Sequence, residues 1–125
     1  MAGDAVIVAG FGLRASASAD SLADALARAG GAPTLLATAE DKARSPAFRA
    51  LAHRLGLPVL GIDPAALSAQ TTLTQSATSR AARATGSVAE AAALAAAGPG
   101  ARLLGPRAVS GDGMATCALA EGAPQ

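Results

Sequence analysis

Short apolar runs alternate along this chain with stretches whose apolar residues recur every three or four positions. Ala5-Val6-Ile7-Val8-Ala9 is an unbroken apolar run ending at Gly10 and reads as a buried first strand. Gly10-Phe11-Gly12-Leu13-Arg14 follows as a glycine turn. Ser18, Asp20 and Ser21 are alternative N-caps for a helix that carries Leu22, Ala25, Leu26 and Ala29 on one face and stops at Gly30-Gly31. Thr34 to Thr38 forms a second strand, and Ala39 to Arg44 is a polar turn at its carboxyl end. A second helix starts near Pro46, with Phe48, Leu51, Ala52 and Leu55 at helical spacing, and Gly56 caps it. Leu57 to Ile62 forms a third strand, and Asp63-Pro64 is an N-cap followed by proline at the first helical position.

Beyond this point the pattern weakens. Residues 68–79 carry almost no large apolar side chain and read as a long connection or a marginal helix, with a further helix from near Thr78 to Gly86. Ser87-Val88-Ala89-Glu90 has the spacing of a capping box and opens a helix to Ala97, stopped by Gly98-Pro99-Gly100. Arg102 to Leu104 and Ala108-Val109 form a fourth strand interrupted at Gly105-Pro106. Ser110 to Gly113 has turn chemistry, and Met114 to Ala120 alternates as a last, antiparallel strand. Strands alternating with helices before a closing hairpin predict a single three-layer α/β/α domain over residues 1–120. Its sheet is mainly parallel, with about five strands and an antiparallel C-terminal strand. Residues 121–125 are expected to form a flexible tail.

Composition narrows the picture. The chain has 125 residues, enough for one core, of which 51% are hydrophobic and 15% charged. This composition argues against intrinsic disorder, but two Phe and no Trp or Tyr mean that alanine supplies much of the apolar content. Such a core depends on close backbone approach. The net charge of +1 argues against a protein that tracks nucleic-acid phosphates. No apolar run is long enough for a membrane span, and Met1-Ala2-Gly3-Asp4 lacks the basic start of a signal peptide. The single Cys excludes an internal disulfide and fits a cytoplasmic location.

In open α/β sheets, ligands collect beyond the carboxyl ends of the strands. Three segments are expected to meet there: the Gly10–Arg14 turn, the Thr38–Lys42 turn and the hydroxyl-rich stretch 68–79. Gly10-x-Gly12-x-x-Ala15 formally fits a dinucleotide fingerprint, but the helix starts too far beyond Gly12. The alternatives are a tight turn needing positive φ, or a turn whose amides and Arg14 hold a carboxylate or phosphate. Lys42, the only lysine, is either a solvated side chain or a second cation for the same ligand. Ser68, Thr71, Thr72, Thr74, Ser76, Thr78 and Ser79 form either a solvated loop or a lid over a polar ligand. Glu90 is most simply the acid of the capping box, and beside an anion it would oppose binding. Arg80, Arg83, Arg102 and Arg107 face only Glu90 within residues 64–111, a net +3 suited to a polyanion, unless they are scattered surface arginines. His53 reads as a surface residue and Cys117 as core. Neither a metal site nor a Ser-His-Asp set can be assembled, and no cofactor is expected.

These motifs resemble a known family. Gly10-Phe11-Gly12-Leu13-Arg14, Leu36-Ala37-Thr38 with Lys42-Ala43, Leu55-Gly56-Leu57-Pro58, Thr74-Gln75-Ser76, Thr85 through Leu94 and Ala115 through Ala120 occur in order across nearly the whole chain. They are similar to the CobE and CbiG C-terminal-domain family of cobalamin biosynthesis, and closer to its stand-alone form. The resemblance implies a part in building the corrin ring, with a precorrin or corrinoid small molecule and other enzymes of the cobalamin pathway as partners. CbiG-type proteins open a ring lactone and release a two-carbon fragment as acetaldehyde. Where their pattern tends to carry a late lysine this chain has Arg107, which keeps the charge but not an amine. Resemblance and residue chemistry together make Gly10, Phe11, Gly12, Arg14, Thr38, Lys42, Ser76, Ser87 and Glu90 the candidate ligand contacts. The lack of a recognisable catalytic set favours a binding or accessory role over a precorrin lactone hydrolase. A small nucleotide-binding module is the third reading.

Overall fold

The computed structural model describes residues 6–70 and 87–122. Ser76, Arg80, Arg83, the helix expected from Thr78 to Gly86, most of the hydroxyl-rich stretch and residues 123–125 lie outside the described residues.

Among the described residues six strands form one sheet: β1 (Ile7–Leu13), β2 (Leu35–Ala39), β3 (Val59–Ile62), β4 (Arg102–Leu103), β5 (Ala108–Val109) and β6 (Ala115–Glu121). Their order is β3-β2-β1-β6-β4, with β5 also paired to β6. β1, β2 and β3 are mutually parallel. β6 runs antiparallel to β1, β4 and β5, so it is the one reversed strand. The last strand also extends to Glu121, which pairs with both Ile7 and Arg102 instead of entering a tail.

Helices α1 (Ala19–Ala29), α2 (Pro46–Leu55), α3 (Pro64–Ser68) and α4 (Val88–Ala97) cover the two faces. Ser18 caps α1 through a reciprocal box with Ser21, choosing among the three candidates. Gly30 and Gly56 stop α1 and α2 in the left-handed conformation. Asp63 caps α3 by accepting the Ala66 N–H at 2.8 Å. Strand alternation then sorts the core. Ala9, Phe11, Leu36, Cys117 and Leu119 face Leu22 and Ala25 of α1 and Phe48, Leu51 and Ala52 of α2. Val8, Ala37, Ala39 and Ile62 face Leu67 of α3 and Ala91 and Ala92 of α4.

The glycine motif is a correction. Gly10 and Gly12 are not in a turn; they lie inside β1, and neither has a positive φ. A Cβ on Gly10 would fall 2.1 Å from the Ala89 carbonyl oxygen and 2.5 Å from the Ala93 nitrogen. Gly10 is therefore a seat for the α4 backbone, and the dinucleotide fingerprint has no structural counterpart. β3 is an edge strand, with Val59 and Leu60 exposed.

Candidate functional site

The parallel strands set two rims. Gly12 lies against Val88 and Ala89 at the start of α4, and Gly122 against Ala97 at its end. α4 thus runs antiparallel to β1, and its first turn sits at the carboxyl-end rim of the parallel strands.

Two of the candidate cations leave this rim from adjacent strands. Arg14 follows β1, and Lys42 lies in the turn after β2. Arg14 is exposed and Lys42 half-buried, and neither joins an ion pair among the described residues. Arg14 is anchored nonetheless. Its N–H donates to the Met114 carbonyl at 2.9 Å and its Nε–H to the Gly113 carbonyl at 3.3 Å. That leaves the terminal nitrogens of the fork, the geometry that suits a carboxylate. The Lys42 turn is held by its own peptide bonds, Lys42 and Ala43 N–H to the Ala39 carbonyl. Glu40 and Asp41 share that turn, so the rim is mixed in sign.

Other candidates have interior roles. The Phe11 ring is fully buried and meets Phe48 edge-on at 5.8 Å between centroids. Thr38 is equally buried and its hydroxyl donates to the Phe11 carbonyl at 2.8 Å. Both point to the α1/α2 core, and Gly10 lies beneath α4. These three support the rim from inside instead of lining it. Ser87 is buried as the N-cap of α4, accepting the Glu90 N–H at 3.3 Å. Glu90 is fully buried, and its Oε2 accepts the Arg107 N–H at 2.8 Å, which pins the segment before β5 to the first turn of α4. Of the described candidates, Gly12, Arg14 and Lys42 are the ones not fully buried at this rim.

Of the later-half arginines only Arg102 and Arg107 are described, and they lie at different places in the fold, Arg107 beside the first turn of α4. Arg102 pairs with Glu121 at 2.9 Å at the other rim. His53 is exposed near the end of α2. Cys117 is buried, and burial pushes its thiol up to about 12. Among the described residues no cluster of His, Cys, Asp or Glu is suited to hold a metal ion, and no helix is long and apolar enough to cross a membrane. A shallow depression of about 300 Å³ at the far end of α4, beside Leu94, Gly98 and Pro99, carries no charged side chain.

The sequence did not flag a polar network behind Arg14. Asp112, in the turn between β5 and β6, accepts the Ser21 hydroxyl at 2.6 Å, the Ser110 hydroxyl at 2.6 Å and the Met114 N–H at 3.0 Å. The Ser110 and Ser21 hydroxyls, with the Met114 N–H, hold its carboxyl down at about 2. Asp24 accepts the Gly111 N–H at 2.7 Å, which together with Arg28 also lowers its carboxyl. Serine and aspartate in a turn are the only local signal; the partners are far away in sequence.

Fold and rim define a small open-sheet α/β domain of the kind that places ligand sites at strand ends. Residues 7–120 match the family described as Cobalamin synthesis G C-terminus. The chain belongs to that family and is a cobalamin biosynthesis protein of the CobE and CbiG type. It is similar to the crystal structure of CobE, a protein from the cobalamin (vitamin B12) biosynthetic pathway, at 33% identity and a TM-score of 0.88, over 100% of this chain and 96% of that one. It is also similar to the cobalamin biosynthesis protein chiG from Agrobacterium tumefaciens str. C58, at 36% identity and a TM-score of 0.69, over 92% of this chain and 97% of that one. A putative cobalamin biosynthesis protein G homolog from Sulfolobus solfataricus shares the fold at 14% identity and a TM-score of 0.68, with 94% of this chain matching 37% of that one. No curated protein sequence matches the chain.

Proposed function

We propose that the protein holds a precorrin or corrinoid intermediate by the carboxylate arms of its macrocycle, at the rim where β1 and β2 end. The observation that carries this reading is the placement of Arg14 and Lys42 on adjacent strand ends, both outside any ion pair among the described residues. Several carboxylates on one ring suit two cations from neighbouring strands. A charge-assisted hydrogen bond contributes roughly 1.5–3 kcal/mol, so a few suffice for micromolar affinity after association costs. Binding of this kind needs no acid–base residue, and the lone His53 lies on α2, away from Arg14 and Lys42 in the fold. The ligand is held for the next enzyme of the pathway, in the cytoplasm.

An absorbance titration with a corrinoid bearing free carboxylate arms tests this. Arg14→Ala is expected to weaken binding tenfold or more, about 1.4 kcal/mol, and the same corrinoid with its arms amidated is expected to bind poorly. Wild-type affinity in Arg14→Ala removes Arg14 from the site. Lactone opening with acetaldehyde release, seen by mass, would replace the reading with a hydrolase. Nucleotide binding with indifference to corrinoids would replace it with a nucleotide module.

A further inference from the structure

Both carbonyls that hold Arg14 belong to consecutive residues, Gly113 and Met114, and Asp112 immediately precedes them. The Met114 peptide is gripped at both ends: its N–H donates to Asp112 Oδ1, and its carbonyl accepts the Arg14 N–H. Asp112 is in turn tied to two hydroxyls that are themselves buried, Ser21 on α1 and Ser110 at the end of β5, each 4% exposed. Ser110 Oγ also accepts the Ala115 N–H at 3.0 Å, and the Gly111 N–H goes to Asp24. The turn is therefore fastened to α1 from one side while it fastens Arg14 from the other. An exposed arginine loses side-chain entropy when it binds, and a prior hold on its Nε lowers that cost.

We propose that Asp112 is the positioning residue for Arg14, setting the guanidinium for a carboxylate ligand through the Gly113 and Met114 carbonyls. This rests on Arg14 as the ligand contact. Asp112 does not touch the ligand; it decides where the fork points. Ser21 belongs to the same device, so the start of α1 is linked to the rim through one carboxylate.

The test is a double-mutant cycle on the full chain, read by absorbance titration with the free-carboxylate corrinoid, alongside NMR of the Arg14 Nε–H. Asp112→Ala is expected to weaken binding fivefold or more and to increase solvent exchange of the Nε–H. In an Arg14→Ala background the same change is expected to add less than twofold, because its effect passes through Arg14. Asp112→Asn keeps the shape and an acceptor for Met114, and is expected to restore affinity to within twofold of wild type. If Asp112→Ala does not fold, Ser21→Ala takes its place, with a smaller loss that again vanishes without Arg14. Equal losses with and without Arg14, or an Nε–H signal unchanged in Asp112→Ala, overturn the proposal while leaving Arg14 as a contact. An Arg14→Ala protein that binds normally overturns the ligand reading first, and the positioning role with it.

Discussion

The two faces of the sheet are packed by different means. On the α1/α2 face, Phe11, Phe48, Leu22, Leu36 and Leu51 are fully buried, and each such side chain contributes on the order of 1.5–3 kcal/mol through the apolar surface it removes from water. On the α4 face, the helix presents Ala89, Ala91, Ala92 and Ala93, and β1 answers with Gly10 and Gly12. Little apolar area is available per residue there. Cohesion comes from backbone lying on backbone, where many short contacts add up. The first face tolerates a change of shape if volume is kept. The second tolerates almost no added atom where main chain meets main chain. That intolerance places the α4 N-terminus, and with it Ser87 and Glu90, hard against the rim.

The largest effect is expected on the side-chain face. Phe48→Ala opens a cavity beside Phe11, and thermal or denaturant unfolding is expected to show a loss of about 3–5 kcal/mol. Gly10→Ala attacks the other face with a single methyl that meets the main chain of α4. It is expected to cost about 1–3 kcal/mol, toward the upper end, with increased amide exchange in α4. A neutral Gly10→Ala would show that α4 does not sit directly on β1. Gly12→Ala sharpens the contrast. Its methyl would meet the Thr116 hydroxyl at 2.7 Å, a group that can rotate away, and its other neighbours are in ordinary contact at 3.7 Å and beyond. Alanine in a strand gains about 0.5–1 kcal/mol over glycine, so the net change is expected to stay under about 1 kcal/mol. The smallest effect joins the α1/α2 side to the rim. Asp112 has its carboxyl lowered from 3.8 to about 2, so the attachment it provides is full above pH 3.8 and is lost as pH falls through about 2. Protection of the Met114 amide, its exchange rate taken relative to the intrinsic rate at each pH, is expected to hold from neutral pH to about 4 and to fall between there and about 2. Loss of protection already above about pH 4 would mean the serine contacts are not made in solution.

Much of the fold was legible because local chemistry and hydrophobic period agreed. The stops at Gly30, Gly56 and Gly98, the cap at Asp63 and the reversed last strand all follow from patterns a few residues long. The glycines of β1 were misread because Gly-x-Gly is commoner in turns. A signal was present: Val8, Gly10 and Gly12 share strand parity, while Phe11 and Leu13 continue the apolar alternation on the other face. Together with an alanine-rich helix later in the chain, this marks a strand that carries a close-packed helix. At the candidate site, Arg14 and Lys42 were legible as cations just past strand ends. Phe11, Thr38 and Ser87 were placed there by their neighbours in sequence, although their side chains turn inward.

The amino-acid sequence alone determined the alternation of strands and helices, the family, and the poverty of large side chains that forces backbone contact. All of these depend on neighbours within a turn or two of chain, or on composition. The tertiary structure alone decided which face each residue serves and which polar groups find one another. Asp112 meets Ser21, and Glu90 meets the Arg107 peptide, because the sheet and α4 bring distant segments together. Such pairings depend on strand order and register, which no local spacing encodes.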